Sequence, residues 1–261
     1  MPQSYETLLV AVEERVATIT INRPDKRNAL NAAVRRDVVA ALDALRGDED
    51  VRVIVFTGAG DKAFIAGADI AEFAERTPLE QRDAMSVRRV FDEIAAYPKP
   101  TIAMINGFAL GGGCELALAC DMRIAARSAR LGQPEIRLGL IPGGGGTQRL
   151  PRLVGAGRAL RLILSGELID AAAAERMGLV DEVVEDDVLR EHVMTLARTI
   201  AGYSPVALRL AKEAVATSLE TPLAAGLAAE RELFITAFGS DDRREGVAAF
   251  LEKRDASFRG S

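Results

Sequence analysis

Thr101-Ile102-Ala103-Met104-Ile105-Asn106-Gly107-Phe108-Ala109-Leu110-Gly111-Gly112-Gly113-Cys114-Glu115-Leu116 carries the grammar of the whole chain. The run Thr101–Ile105 reads as a strand, and Asn106-Gly107 as a turn. Three glycines then open an apolar stretch that reads as a helix through Cys120, after which Met122–Ala125 reads as strand again. Strands alternating with helices predict a layered α/β architecture. Gly111-Gly112-Gly113 lacks the spacing of a dinucleotide fingerprint or a phosphate-cradling loop. Glycines before a helix bring bare N–H groups close to a ligand, at the end carrying roughly half a positive charge. A developing oxyanion would be stabilised there. They serve equally well as a tight strand-to-helix turn, so the glycines alone leave both readings open.

The same pattern extends in both directions. Thr7–Val12 and Val16–Ile21 flank a charged turn at Glu13-Glu14-Arg15 and read as a hairpin. Val34, Val38, Leu42 and Leu45 recur on one face of a helix over Asn31–Arg46, followed by a short strand at Val51–Phe56. Thr77–Ala96 is helix-like and ends before Pro98 and Pro100. Beyond about Gly155 the character becomes helical, over Arg158–Leu164, Ala171–Met177, Val188–Ala201, Pro205–Ser218, Pro222–Phe238 and Asp241–Lys253, with one short strand candidate at Leu179–Val184. Asp170 is placed to cap the helix that follows it, and Gly178 to end it. No repeat is strict enough to indicate a solenoid.

A chain of 261 residues can bury a large core. It is 49% hydrophobic, yet no apolar run is long enough to span a bilayer. Neither a signal peptide nor an Arg-rich transit segment is evident, so the cytoplasm is the expected compartment, or an organelle matrix if a targeting segment was removed. Cys114 and Cys120 offer no disulfide framework and read as small buried hydrophobes. A net charge of −5 argues against a general polyanion-binding surface. The only histidine, His192, lies in a polar stretch, there is no serine elbow, and no Cys/His cluster has zinc spacing. No metal is expected, and proton chemistry falls to carboxylates.

Two glutamates fit that role. Glu115 follows the triple glycine and Glu135 stands in Gly132-Gln133-Pro134-Glu135-Ile136. Both sit in mostly apolar sequence, where a charged carboxylate is costly unless paired or hydrogen-bonded. Either one alone reads as helix N-terminal charge compensation or half of a salt bridge. Ala63-Phe64-Ile65-Ala66-Gly67-Ala68-Asp69-Ile70 has a similar flavour, with Asp69 placed to cap the next helix.

Taken in order, Asn22-Arg23-Pro24, Asn28-Ala29-Leu30, Lys62–Ile70, Asn106–Leu116, Gly132–Glu135 and Ile141-Pro142-Gly143-Gly144-Gly145-Gly146-Thr147-Gln148-Arg149-Leu150 closely resemble the enoyl-CoA hydratase/isomerase (crotonase) superfamily. The resemblance runs from about residue 8 to Phe258. It implies an α/β fold, a crotonase-like spiral of ββα repeats over residues 1–195, with a C-terminal helical trimerisation region over 196–261. It also implies a homotrimer or a homohexamer built as a dimer of trimers, and an acyl-CoA thioester as substrate. Coenzyme A is then part of the substrate, and no separate cofactor is expected. By motif position the thioester carbonyl would be held by the backbone N–H groups of Ala68 and Gly112. Glu115 would be the base and Glu135 the acid of a hydratase adding water to a trans-2-enoyl-CoA. β-Oxidation of fatty acids is the default setting.

For coenzyme A itself the resemblance points to the first loop, with Lys26 and Arg27, and to Ala66, Asp69 and Ile70. Lys253 matches the family position that reaches a neighbouring subunit's ligand. Lys26 and Arg27 read equally as solvated turn charges, and Lys253 as a cation complementing a helix C-terminus. Ile65 stands where a smaller residue is common in the family, and Phe73–Tyr97 falls where the family lines its acyl pocket without matching a strong motif. Rival readings are another reaction of the family, double-bond isomerisation or hydration of a branched or aromatic-derived acyl-CoA. A nucleic-acid role, which some members also have, is disfavoured by the acidic balance and the lack of a basic run.

Overall fold

The structure, a computed structural model, describes residues 4–74, 76–86 and 89–261. A hairpin opens the chain: β1 (Leu8–Glu13) pairs antiparallel with β2 (Val16–Ile21). Helix α1 (Ala32–Arg46) follows, its first turn capped by the Asn31 side chain on the Val34 N–H. Then come β3 (Val53–Gly58) and β4 (Ala63–Ile65), α2 (Pro78–Ser86) and α3 (Val90–Ala95), β5 (Thr101–Ile105), β6 (Phe108–Leu110) and α4 (Gly112–Ala119). The next turn of the pattern is β7 (Met122–Ala126), β8 (Arg130–Gly132), α5 (Gly146–Val154) and α6 (Ala156–Ser165). β9 (Leu168–Asp170), α7 (Ala171–Arg176) and β10 (Glu182–Val184) precede the helices α8 (Leu189–Ala201), α9 (Pro205–Ser218), α10 (Leu223–Phe238) and α11 (Asp241–Glu252).

Two sheets share these strands in alternation. One has the order β1-β2-β3-β5-β7-β10 and the other β4-β6-β8-β9. Each of the pairs β3/β4, β5/β6 and β7/β8 therefore contributes its first strand to the large sheet and its second to the small one. Within each sheet these strands run parallel. Helices follow every pair, so the chain climbs as a spiral of ββα units, the expected fold class.

Alternation of side chains along β3 divides the core. Ile54 and Phe56 face α1 and α3, together with Val34, Val38, Leu42 and Ile94. Val53 and Val55 face α8, through Leu189, Val193, Met194 and Ala197. A strand buried on both faces reads as a continuous apolar run, as Val53–Phe56 does. The expected boundary between 195 and 196 falls inside α8, whose buried stripe covers the large sheet as far as Ala201. Helices α9, α10 and α11 follow it.

There α9 and α10 pack on each other. Arg52 ties this region back by donating to the carbonyls of Ala201, Tyr203 and Phe258. Asp242 accepts from the Ser204 hydroxyl and from the Arg259 and Gly260 N–H groups. The helix expected over Thr77–Ala96 is instead two, α2 and α3, with Arg89 extended before the second, and positions 87–88 of that stretch lie outside the described residues. Among the described residues no helix is long and apolar enough to cross a membrane.

Candidate active site

The carboxyl ends of β4, β6 and β8 lie side by side, and the segment leaving each one supplies a wall of a single site. Ligand sites in parallel sheets gather at such strand ends. From β4 comes Ala66-Gly67-Ala68. Its backbone is pinned to the first loop, with Ala66 N–H donating to Arg27, Leu30 N–H to Gly67, and Asp69 N–H to Leu30. The Ala68 N–H has no acceptor among the described residues.

From β6 comes the triple glycine, where each residue has its own reason. Gly111 has φ 50°, and a Cβ there would stand 2.9 Å from Glu135 Oε1. A Cβ on Gly113 would stand 2.0 Å from the Ile65 carbonyl oxygen, so only glycine lets α4 start this close to β4. Gly112 opens α4, and among the described residues its N–H, one of the helix's first donors, has no acceptor. A Cβ on Gly112 would be 3.7 Å from the Ala68 nitrogen. Two free N–H groups are thus neighbours at the positive end of a helix, a geometry suited to an anionic oxygen.

Glu115 lies in the first turn of α4 with only 4% of its surface exposed. Its Oε1 accepts from Gly144 N–H at 2.6 Å and Gly146 N–H at 2.8 Å. The loop supplying them approaches closely: a Cβ on Gly144 would meet Glu115 Oε2 at 2.7 Å and the Phe91 ring at 2.4 Å. Burial pushes the Glu115 pKa above the usual carboxylate range. The Gly146 and Gly144 N–H groups pull it back, as do the charges of Arg149 and Arg89.

Glu135 sits in the 3-10 turn Pro134–Leu138 that follows β8. It accepts from the amide nitrogen of fully buried Gln133, whose network turns that nitrogen to 3.0 Å from Oε1 and 3.2 Å from Oε2. Burial, with the neighbouring charge of Glu115 added, pushes its pKa up to about 7. A hydrogen bond from its own backbone opposes this. Of the two, Glu115 is stabilised by two backbone donors and Glu135 is kept close to protonation at neutral pH. Environments that separate two carboxyls in this way assign one to each side of acid–base chemistry.

A stability consequence follows for Glu135. Its folded pKa of about 7 lies above its unfolded value, so the folded state holds the proton more tightly. That contribution is complete below the unfolded pKa and is lost as pH rises through about 7. Glu135→Gln has no such proton to lose. Its Tm relative to the unsubstituted protein is expected to rise from pH 5 to pH 8, measured by calorimetry; a constant difference would place the carboxyl in solvent.

Of the other residues singled out in the sequence, Arg27, Ala66 and Asp69 gather where the first loop meets the segment after β4, whereas Lys253 ends α11. Asp69 does not cap the following turn: its carboxylate pairs with Arg23 Nη2 at 3.1 Å, while Arg23 Nη1 holds the Ala29 carbonyl. The ion pair fixes the first loop against the Ala66–Ala68 wall, which outweighs a cap contact. Ile70 is exposed just beyond. Lys26 and Arg27 are exposed on the first loop, Arg27 in the left-handed region at φ 49°. Lys253 is the left-handed C-cap of α11, and no hydrogen bond or ion pair among the described residues joins it to the glutamates. Cys114 and Cys120 are buried free thiols, as expected. Sequence reading missed Gln133, Gly144, Gly146, Phe91 and Arg149 as site residues. The Gly143–Gly146 run was the available signal, since four consecutive glycines require a close backbone approach.

The family described as enoyl-CoA hydratase/isomerase matches residues 11–261. The chain is 44% identical to a crotonyl-CoA hydratase of Syntrophomonas wolfei, over 98% of each chain. It is 46% identical to a 2,3-dehydroadipyl-CoA hydratase of Escherichia coli, over 97% of this chain and 98% of the relative. The crystal structure of an enoyl-CoA hydratase from Bacillus anthracis superimposes with a TM-score of 0.94 at 43% identity, covering 98% of this chain and all of that one.

Proposed function

Since the chain belongs to the enoyl-CoA hydratase/isomerase family, we infer that it is a hydro-lyase which adds water reversibly to trans-2-enoyl-CoA, giving 3-hydroxyacyl-CoA. The observation that carries this reading is the closeness of Glu115 and Glu135 beside two N–H groups that have no acceptor among the described residues.

The thioester carbonyl binds between the Ala68 and Gly112 N–H groups. Their partial positive charge draws electrons from the conjugated double bond and leaves the β-carbon electrophilic. Enolate charge that collects on the carbonyl oxygen as water attacks is stabilised by the same donors, which bind the transition state more tightly than the substrate. Glu115, fixed by Gly144 and Gly146, takes the proton of a water aimed at the β-carbon. Glu135, holding a proton near neutral pH, delivers it to the α-carbon. Both carboxyls act from one side of the double bond, so addition is syn. The proton gained by Glu115 then returns through solvent to Glu135.

Hydration removes the conjugated-enoyl chromophore. Crotonyl-CoA absorbance is expected to fall on adding the protein; no fall across short, medium, long and branched enoyl-CoAs would overturn the assignment. Isomerisation of a 3-enoyl-CoA, the second reading, would instead raise that absorbance. The acyl preference is open between a short chain and a longer or carboxylated one, the two substrates that the relatives' names carry.

Self-association belongs to the same proposal. Leu219, Leu223, Leu227, Phe234 and Phe238 on and beside α9 and α10 are more than half exposed, as are Phe250 and Leu251 of α11. Apolar surface of this extent marks an interaction face. A trimer or a dimer of trimers covers it with further copies, and light scattering is expected to return three or six times the chain mass. A monomer at micromolar concentration would refute this. The relatives reported are bacterial, and the cytoplasm is the compartment we propose.

A further inference from the structure

We propose that Arg149, held by Asp92, is a positioning residue for the base Glu115, acting through the peptide groups of the Gly143–Gly146 loop rather than by touching substrate. The inference rests on the hydratase reading for its kinetic consequences but not for its structural ones.

The geometry is a relay. Arg149 Nη1 donates to the Gly144 carbonyl at 3.0 Å, and its Nη2 pairs with Asp92 Oδ1 at 3.0 Å. Arg89 Nη2 donates to the Gly143 carbonyl at 2.8 Å, and its Nε lies 3.5 Å from the other Asp92 oxygen. The Gly143 carbonyl and the Gly144 N–H belong to one peptide group. The Arg89 guanidinium therefore grips one end of that group while the other end donates to Glu115 Oε1 at 2.6 Å, and Asp92 joins Arg89 to Arg149. Charge on the arginine polarises the peptide in the sense that strengthens its donation, the cooperative effect of chained hydrogen bonds. Arg149 secures the next peptide, and with it the path to Gly146, the second donor to Oε1. Gly145 explains the close fit: a Cβ there would stand 2.1 Å from Arg149 Nη1.

Charged and titratable groups face Glu115 from several elements. Arg149 comes from α5, Arg89 and Asp92 from the start of α3, Glu135 from the turn after β8, and Cys114 from α4 itself. The Cys114 thiol is pushed up to about 12 by burial and stays neutral, and the charge of Glu115 works against ionisation of Glu135. The two arginines are the cations that favour the carboxylate of Glu115. Asp92 offsets part of their charge but fixes where they point.

The test compares Arg149→Met, Arg149→Lys and Asp92→Asn with the unsubstituted protein, using crotonyl-CoA. Arg149→Met is expected to lower kcat by about 10- to 100-fold, the scale of a misplaced catalytic group, with KM little changed. The acid limb of its kcat–pH profile is expected to move to higher pH while the alkaline limb stays. Arg149→Lys should return the acid limb toward its original position and recover only part of kcat. Asp92→Asn alters a half-exposed carboxylate and provides the readout should Arg149→Met fail to fold; it is expected to lower kcat in the same direction. Unchanged kcat and unchanged acid limb in the folded variants would overturn the proposal, as would a uniform loss at every pH with a raised KM. A substrate-free readout separates this from the reaction assignment. In a Glu135→Gln background, the infrared carboxyl band of Glu115 should titrate at higher pH once Arg149 is Met. That shift is expected even if the unsubstituted protein hydrates nothing, and its absence would sink the positioning role alone.

Discussion

Replacing Glu115 by glutamine is expected to lower kcat for hydration by about 10²–10⁴-fold, the usual contribution of a positioned acid–base group. The fold should survive. A glutamine carbonyl oxygen can still accept from the Gly144 and Gly146 N–H groups that now hold Oε1. It also relieves the desolvation that pushes the Glu115 pKa up. What disappears is the capacity to take a proton from water. Thermal melting near the original value together with a lost turnover is therefore the expected signature, and turnover near that of the unsubstituted enzyme would remove Glu115 from the mechanism. The same profile supplies the pH dependence. The proposed mechanism needs Glu115 ionised and Glu135 protonated, so activity is expected to fall on the alkaline side as pH passes through about 7, where Glu135 loses its proton.

Gly112→Pro is expected to be nearly as damaging by a different route, lowering kcat/KM by about 10²–10³-fold through the loss of one oxyanion donor, or roughly 2.7–4 kcal/mol of transition-state stabilisation. Gly112 is the first residue of α4, the position at which proline is best tolerated in a helix. A Cβ there stands 3.3 Å from the tip of the Leu30 side chain, which must give slightly, and in ordinary contact with the Ala68 nitrogen at 3.7 Å. The substitution therefore deletes an N–H that no protein acceptor uses among the described residues, at little cost to the helix. Binding of a saturated acyl-CoA, measured by calorimetry, should weaken far less than turnover. Full activity in a folded Gly112→Pro protein would show that the carbonyl is held elsewhere.

Much of the fold was legible because its signals are local. The limits of α9 were readable at Pro205 and Ser218, since Ser204 accepts from the Ala207 N–H and proline stands at the start of the helix. The hairpin and β5 declared themselves through apolar runs bounded by turn residues. The small sheet did not. Its strands β4, β6, β8 and β9 are each three residues long, too short to show a period of two, and they exist because the neighbouring turns of the spiral offer them partners. The division of Thr77–Ala96 into two helices was equally hidden, with no proline or glycine between α2 and α3 to announce it.

The site shows the same split. Glu115 and Glu135 stood out because carboxylates in apolar sequence need an explanation. Ala68 and Gly112 became visible only through the resemblance, because a backbone N–H is the same atom in every sequence. Asp69 obeyed a tertiary partner, Arg23, in preference to the local rule for caps. Asp92 and Arg149 lie 57 positions apart, and nothing in either neighbourhood announces that they meet.

The spiral has a kinetic corollary. Glu115 draws its two donors from 29 and 31 positions downstream, and the partner wall at Ala68 lies on the preceding turn. Contacts of such long sequence separation form late, after the entropy of closing the intervening loops has been overcome. During renaturation, ellipticity should therefore recover ahead of enzymatic competence, which makes turnover a timer for the final docking of three coils.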